Sequence, residues 1–124
     1  MAARILVVED NAANLELVRY LLTHGGHSVI AATDGAEGVA LALQERPDLV
    51  ICDLQMPVLD GYQVLAQLRA RPETAALTVI AVTAFSMPND RQKVMTAGFD
   101  GYLSKPIEPE RFVAQIEAFL PPGG

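Results

Sequence analysis

The sequence has one cysteine, no tryptophan and two histidines in 124 residues. Cys52 alone cannot close an internal disulfide, and two histidines set apart from any cysteine pattern make no zinc site. No stretch approaches the roughly 20 consecutive apolar residues of a membrane span. The opening "MAAR" runs straight into a short apolar segment, so no signal-peptide architecture is present. Positive charge is scarce as well. Nine Lys and Arg stand against fifteen Asp and Glu, giving a net charge of −6, and the pI is about 4.7. Nucleic-acid binders normally carry a basic face, and no Lys/Arg cluster appears. These absences predict a cytoplasmic chain that touches neither nucleic acid nor membrane directly. The acidity has two readings: general solubility, or a concentrated acidic site.

What is present is an alternation. Apolar, β-branched runs occur at "RILVV" (4–8), "HSVIAA" (27–32), "DLVIC" (48–52) and "LTVIAV" (77–82), with a weaker "GYLS" at 101–104. Three are continuous rather than alternating, as in strands covered on both faces. Between them lie helical spacings predicted at 12–24, 35–46, 61–71, 89–97 and 109–120. The fourth of these helices offers only Val94 and Met95 as large apolar anchors and is expected to be the least firmly held. Five β-α units predict one α/β domain over residues 1–124. Its parallel sheet has helices on both faces, with the flavodoxin-like strand order 2-1-3-4-5. The "PPGG" ending (121–124) reads as a flexible tail or the start of a linker. A start at Met1 and an end near the last helix favour a stand-alone protein.

In a parallel sheet every strand ends on one edge, and sites form in the crevice there. The first strand ends in Glu9-Asp10, the third in Asp53, the fourth in Thr83 and the fifth in Ser104-Lys105-Pro106. Neighbouring strands lie about 4.8 Å apart. Two like charges at about 4.5 Å repel by roughly 3–4 kcal/mol at an effective dielectric of about 20. Either one carboxylate is protonated or a divalent cation lies among them. Hard oxygens in an open, wet position suit Mg²⁺, with Mn²⁺ as a substitute. Each residue also has a plain structural explanation: Glu9-Asp10-Asn11 as a helix cap, Asp53 as a turn residue, Thr83 as a strand residue, Lys105 as a solvated charge. Their convergence on one edge has none. A carboxylate beside Mg²⁺ is a nucleophile toward phosphorus, with a lysine and a hydroxyl for the phosphoryl oxygens.

At these residues the chain resembles the receiver domain of two-component response regulators, in its single-domain, chemotaxis-regulator-like or cell-cycle-regulator-like form. The resemblance rests on "VVEDN", "DLVICDLQMPVLDGYQVL", "VTAFS" and "YLSKPI", in that order and spacing. It implies Asp53 as phosphoacceptor. It implies Mg²⁺ held by Glu9, Asp10, Asp53 and the Gln55 backbone carbonyl, and phosphoryl contacts from Thr83 and Lys105. It also implies a cis bond before Pro106 and a switch made by Thr83 and Tyr102. Gln55 and Phe85 would tune phosphate lifetime, which is expected to exceed that of receivers with an acid at the second position. The implied donor is a histidine kinase or histidine phosphotransfer protein. The implied output is a downstream target bound on the face of the fourth helix, fifth strand and fifth helix. The chain would assist its own phosphorylation and dephosphorylation without being an enzyme on other substrates. It would be a monomer, with a phosphorylation-dependent dimer left open.

Two other classes fit less well. A phosphatase with an aspartyl nucleophile wants a second acid two residues on, where Gln55 stands. A mononucleotide or flavin binder wants a Gly- and hydroxyl-rich loop where "EDNAAN" stands.

Overall fold

A computed structural model describes residues 2–84 and 88–120, without the side chains of residues 88 and 89. Phe85 and the tail at 121–124 therefore lie outside the described residues. The order is β1 (Arg4–Val8), α1 (Ala12–His24), β2 (Ser28–Ala32), α2 (Gly35–Glu45), β3 (Leu49–Asp53), α3 (Gly61–Arg69), β4 (Thr78–Thr83), α4 (Pro88–Ala97), β5 (Gly101–Ser104) and α5 (Pro109–Glu117). The strands form one sheet in the order β2-β1-β3-β4-β5. Every pairing is parallel, as the alternation of elements predicts.

Two apolar layers hold this sheet. Leu6, Val8, Val50, Cys52, Val79 and Ala81 face α2, α3 and α4, whereas Ile5, Val7, Leu49, Ile51, Ile80 and Val82 face α1 and α5. Successive strand residues point to opposite faces, so a continuous run is what a doubly covered strand requires. All five residues of β3 are buried, Asp53 included. Cys52 is an ordinary member of the α2-α3-α4 layer, and burial pushes its thiol pKa up, with Asp53 and Glu9 adding to the rise.

Helix starts follow the polar residues that precede them. Asn11 accepts from the Asn14 amide, Asp34 from the Glu37 amide, and Asp60 from the Gln63 amide, while the Asp60 amide in turn donates to the Gln63 side-chain oxygen. Three helix ends fall short of expectation. The residue before a proline is driven out of the α region, so Arg46 before Pro47 is left-handed at φ 48° and α2 stops at Glu45. The same restriction acts on Arg71 before Pro72. There the chain tightens, with the Arg71 amide donating to Leu68 O. After Glu117, similar tight bonds run from Phe119 to Ile116 and from Leu120 to Glu117. Among the described side chains of α4 only Val94 is buried; Met95 is 43% exposed. The expected pair of anchors is thus a single residue, because Met95 follows Val94 by one position and turns away from the sheet.

Candidate phosphoryl-transfer site

Strand register builds the site. Val8 pairs with Cys52, so the next residues on each strand, Glu9 and Asp53, emerge side by side at the sheet edge. Thr83 pairs with Ser104 at the end of β4, and the Lys105 amide donates to Thr83 O at 2.8 Å. That bond turns the lysine side chain back over the edge. The Lys105–Pro106 peptide is cis, as the resemblance implied.

The carboxylates converge. Ligand atoms of Glu9, Asp10 and Asp53 all lie within 4.8 Å of one another. Glu9 and Asp53 are buried, while Asp10 is exposed. Lys105 Nζ lies 3.1 Å from Glu9 Oε1 and 3.2 Å from Asp53 Oδ2. The remaining oxygens accept backbone bonds: Glu9 Oε2 from the Asn11 amide and Asp53 Oδ1 from the Gln55 amide, both at 3.2 Å. Asp53 is only 4% exposed, covered by the Lys105 ammonium that balances its charge.

The predicted repulsion shows in the proton affinities. Burial first, then the bond and charge of Asp53, push the Glu9 carboxyl up from 4.5 to about 7, against the opposing pull of Asn11 and Lys105. For Lys105, burial acts downward, but the bonds and charges of Glu9 and Asp53 outweigh it and hold the ammonium above its ordinary value. A buried carboxyl near half-protonation at neutral pH marks a cluster with more oxygen donors than one ammonium satisfies. That donor set, hard oxygens with one exposed member, fits a divalent cation of the Mg²⁺ type.

Two clefts flank the cluster. One, of about 280 Å³, lies between α3 and α4 and is lined by residues including Gln55, Thr83, Tyr62 and Lys93. The other, of about 250 Å³, lies on the α4-β5-α5 face, where half-buried Tyr102 meets Arg91, Ser104, Ile107 and Phe112. Tyr102 also packs against the α2-α3-α4 core layer. Glu9, Asp10, Asp53, Thr83, Gln55 and Lys105 are thus brought to one edge, with Tyr102 one strand position before Leu103 on the adjoining edge strand.

Three contributors were not visible in the sequence. Gly61 packs directly behind the acidic tip: a Cβ there would fall 2.7 Å from Asp53 O and 2.8 Å from Leu54 Cα. The Asp60-Gly61 pair signals a turn, but not that approach. Asn11, read as a cap, also anchors Glu9 through its amide. Lys93 stands over the Tyr62 ring, 5.1 Å from its centroid; a contact across 31 positions leaves no local pattern.

The fold and this edge define a class. The model of the response regulator receiver domain matches residues 5–117, and the chain belongs to that family. It is 38% identical over 120 residues to the polar-differentiation response regulator DivK of Brucella anthropi, covering 97% of this chain and 98% of that protein. Its fold matches the chemotaxis response regulator CheY4 of Vibrio cholerae with a TM-score of 0.90 at 28% identity, over 97% of this chain and 100% of that one. It also matches the receiver domain of sensor histidine kinase PA1611 from Pseudomonas aeruginosa, at TM-score 0.86 and 31% identity, covering 96% and 98%. That structure has a magnesium ion coordinated in its active-site cleft. Receiver domains are signalling switches rather than enzymes, and they work with histidine kinases or phosphotransfer proteins and with downstream targets. Among the described residues, no helix is long and apolar enough to cross a membrane.

Proposed function

We propose that this chain, over residues 1–124, is a cytoplasmic phosphorylation switch that takes a phosphoryl group on Asp53 from a histidine kinase or histidine phosphotransfer protein. The observation that carries this reading is the closure of Glu9, Asp10, Asp53 and Lys105 into one cluster at the carboxyl edge of the sheet.

The chemistry follows from these residues. A carboxylate oxygen of Asp53 attacks phosphorus while the bond from phosphorus to the donor breaks, and the electron pair leaves with the donor. Ionised Asp53 needs no general base. Burial on β3 gives the nucleophile a fixed position. Lys105, already within 3.2 Å of Asp53, is placed to pair with a phosphoryl oxygen, and the Thr83 hydroxyl to donate to another. Glu9, Asp10, Asp53 and the Gln55 carbonyl would hold Mg²⁺, or Mn²⁺ in its place. When bound, the ion neutralises charge on the transferring group.

The output follows from the weakest element. Thr83 moves toward the phosphoryl group and Tyr102 turns into the space it leaves, and α4, in which Val94 is the only buried side chain among the described residues, is readily remodelled. The α4-β5-α5 face then binds the downstream target, by a population shift worth about 1–3 kcal/mol. Gln55 and Phe85 set the lifetime of the acyl phosphate, and Phe85→Glu is expected to hasten its loss. The test is incubation with acetyl phosphate and Mg²⁺, read by intact mass. One phosphoryl adduct is expected on the parent and none on Asp53→Asn; equal adduct on both would refute the assignment.

A further inference from the structure

We propose that Lys93 sets donor preference at Asp53: it faces the departing group and favours donors that leave as anions. This rests on Asp53 being the acceptor. In-line transfer sends the leaving group away on the side of phosphorus opposite the attacking oxygen. The α3-α4 cleft adjoins the phosphoryl position, because Gln55 and Thr83 are part of its wall, and the proposal takes it as the exit for the departing group.

Among the described residues lining that cleft, Lys93 is the sole cation, and Asp60 and Asp90 are the acids. One Asp60 oxygen is engaged by the Gln63 amide at 2.9 Å. Lys93 is positioned rather than free to wander. Its ammonium rests over Tyr62, and Tyr62 is set edge-on to buried Phe99, with ring centroids 5.8 Å apart at 78°. Lys105 cannot serve the same purpose, since Glu9 and Asp53 both hold it.

Donors differ in the charge they release. With acetyl phosphate, the P–O bond to the acyl oxygen breaks as the Asp53 O–P bond forms, and the electron pair leaves on acetate with no proton required. With N-protonated phosphoramidate, the P–N bond breaks and neutral ammonia leaves. By Coulomb's law a unit charge acting over about 6–8 Å of wet cleft, at an effective dielectric of about 40–80, would change the first rate by about threefold to tenfold relative to the second.

The experiment measures labelling rates of the whole protein by both donors at saturating Mg²⁺, for the parent, Lys93→Met and Lys93→Arg. The acetyl phosphate to phosphoramidate ratio is expected to fall about threefold to tenfold in Lys93→Met. It should stay within about twofold of the parent in Lys93→Arg, and the Met effect should shrink in about 1 M salt. An unchanged ratio in Lys93→Met overturns the proposal, as does a fall that Lys93→Arg does not restore. Label absent from the parent with both donors removes the Asp53 assignment itself, whereas label present with an unchanged ratio removes only the role of Lys93.

Discussion

Glu9 offers the sharpest test of the acidic cluster, because its effect on folding has a definite sign. Its carboxyl stands at about 7 in the folded chain against 4.5 ordinarily, so the folded state binds this proton more tightly than the unfolded state does. The resulting stabilisation is complete below about pH 4.5 and is lost as pH rises through 7. A rise of that size corresponds to a ceiling of about 3 kcal/mol. The side chain is only 7% exposed, but the cluster opens to water through exposed Asp10, so we take about 1–2 kcal/mol after screening. Glu9→Gln keeps the shape and removes the titration. The assay is urea denaturation in EDTA from pH 5 to 8, for the parent and the variant. The stability difference, parent minus Gln, should drop by about 1–2 kcal/mol across that range, or about 3–8 °C in the midpoint of a matching thermal scan. Mg²⁺ at pH 8 should then raise the parent more than the variant, since an ionised Glu9 is a better ligand. Two curves that run parallel across the range would refute this account of the cluster.

Arg69 ties α3 to two loops, donating to Leu77 O at 2.6 Å, Gly98 O at 3.1 Å and Asp100 Oδ2 at 3.0 Å. Allowing for its partial exposure, Arg69→Ala should cost about 1.5–3 kcal/mol in urea denaturation, with Arg69→Lys recovering only part because an ammonium cannot span these acceptors and Ala75 O, which Arg69 also reaches at 3.2 Å. A loss under about 0.5 kcal/mol would count against the node. Gly61→Ala should slow labelling by acetyl phosphate about tenfold or more, as the main chain behind Asp53 must shift to admit the methyl group; a parental rate would show that the tip tolerates displacement. Hydrogen exchange should find α4 amides the least protected among the five helices, and Val94→Ala should lower their protection further while leaving β3 amides unchanged. Equal protection of α4 and α3 would deny α4 its mobile role.

Much of the acidic edge was legible before any coordinates because topology alone places it. Glu9, Asp53, Thr83 and Lys105 each follow an apolar run, and parallel strands in the order 2-1-3-4-5 bring such ends together whatever the side chains do. Element ends were less legible. The α2 and α3 stops depend on Pro47 and Pro72 acting one residue upstream, which the apolar spacing overrode. What stayed hidden depends on how helices rotate against one another. The exposure of Met95, the placement of Lys93 over Tyr62 and the reach of Arg69 to the α4-β5 loop all require side chains on separate elements to meet, and no spacing encodes that. The division has a physical consequence for signalling. Groups set by strand ends sit on a doubly covered sheet and keep their places, as phosphoryl chemistry demands. Val94 is the only buried side chain among the described residues of α4, so under the proposed switch this thinly anchored helix, already marked as weak by its sequence, is the element that an added phosphoryl group would move.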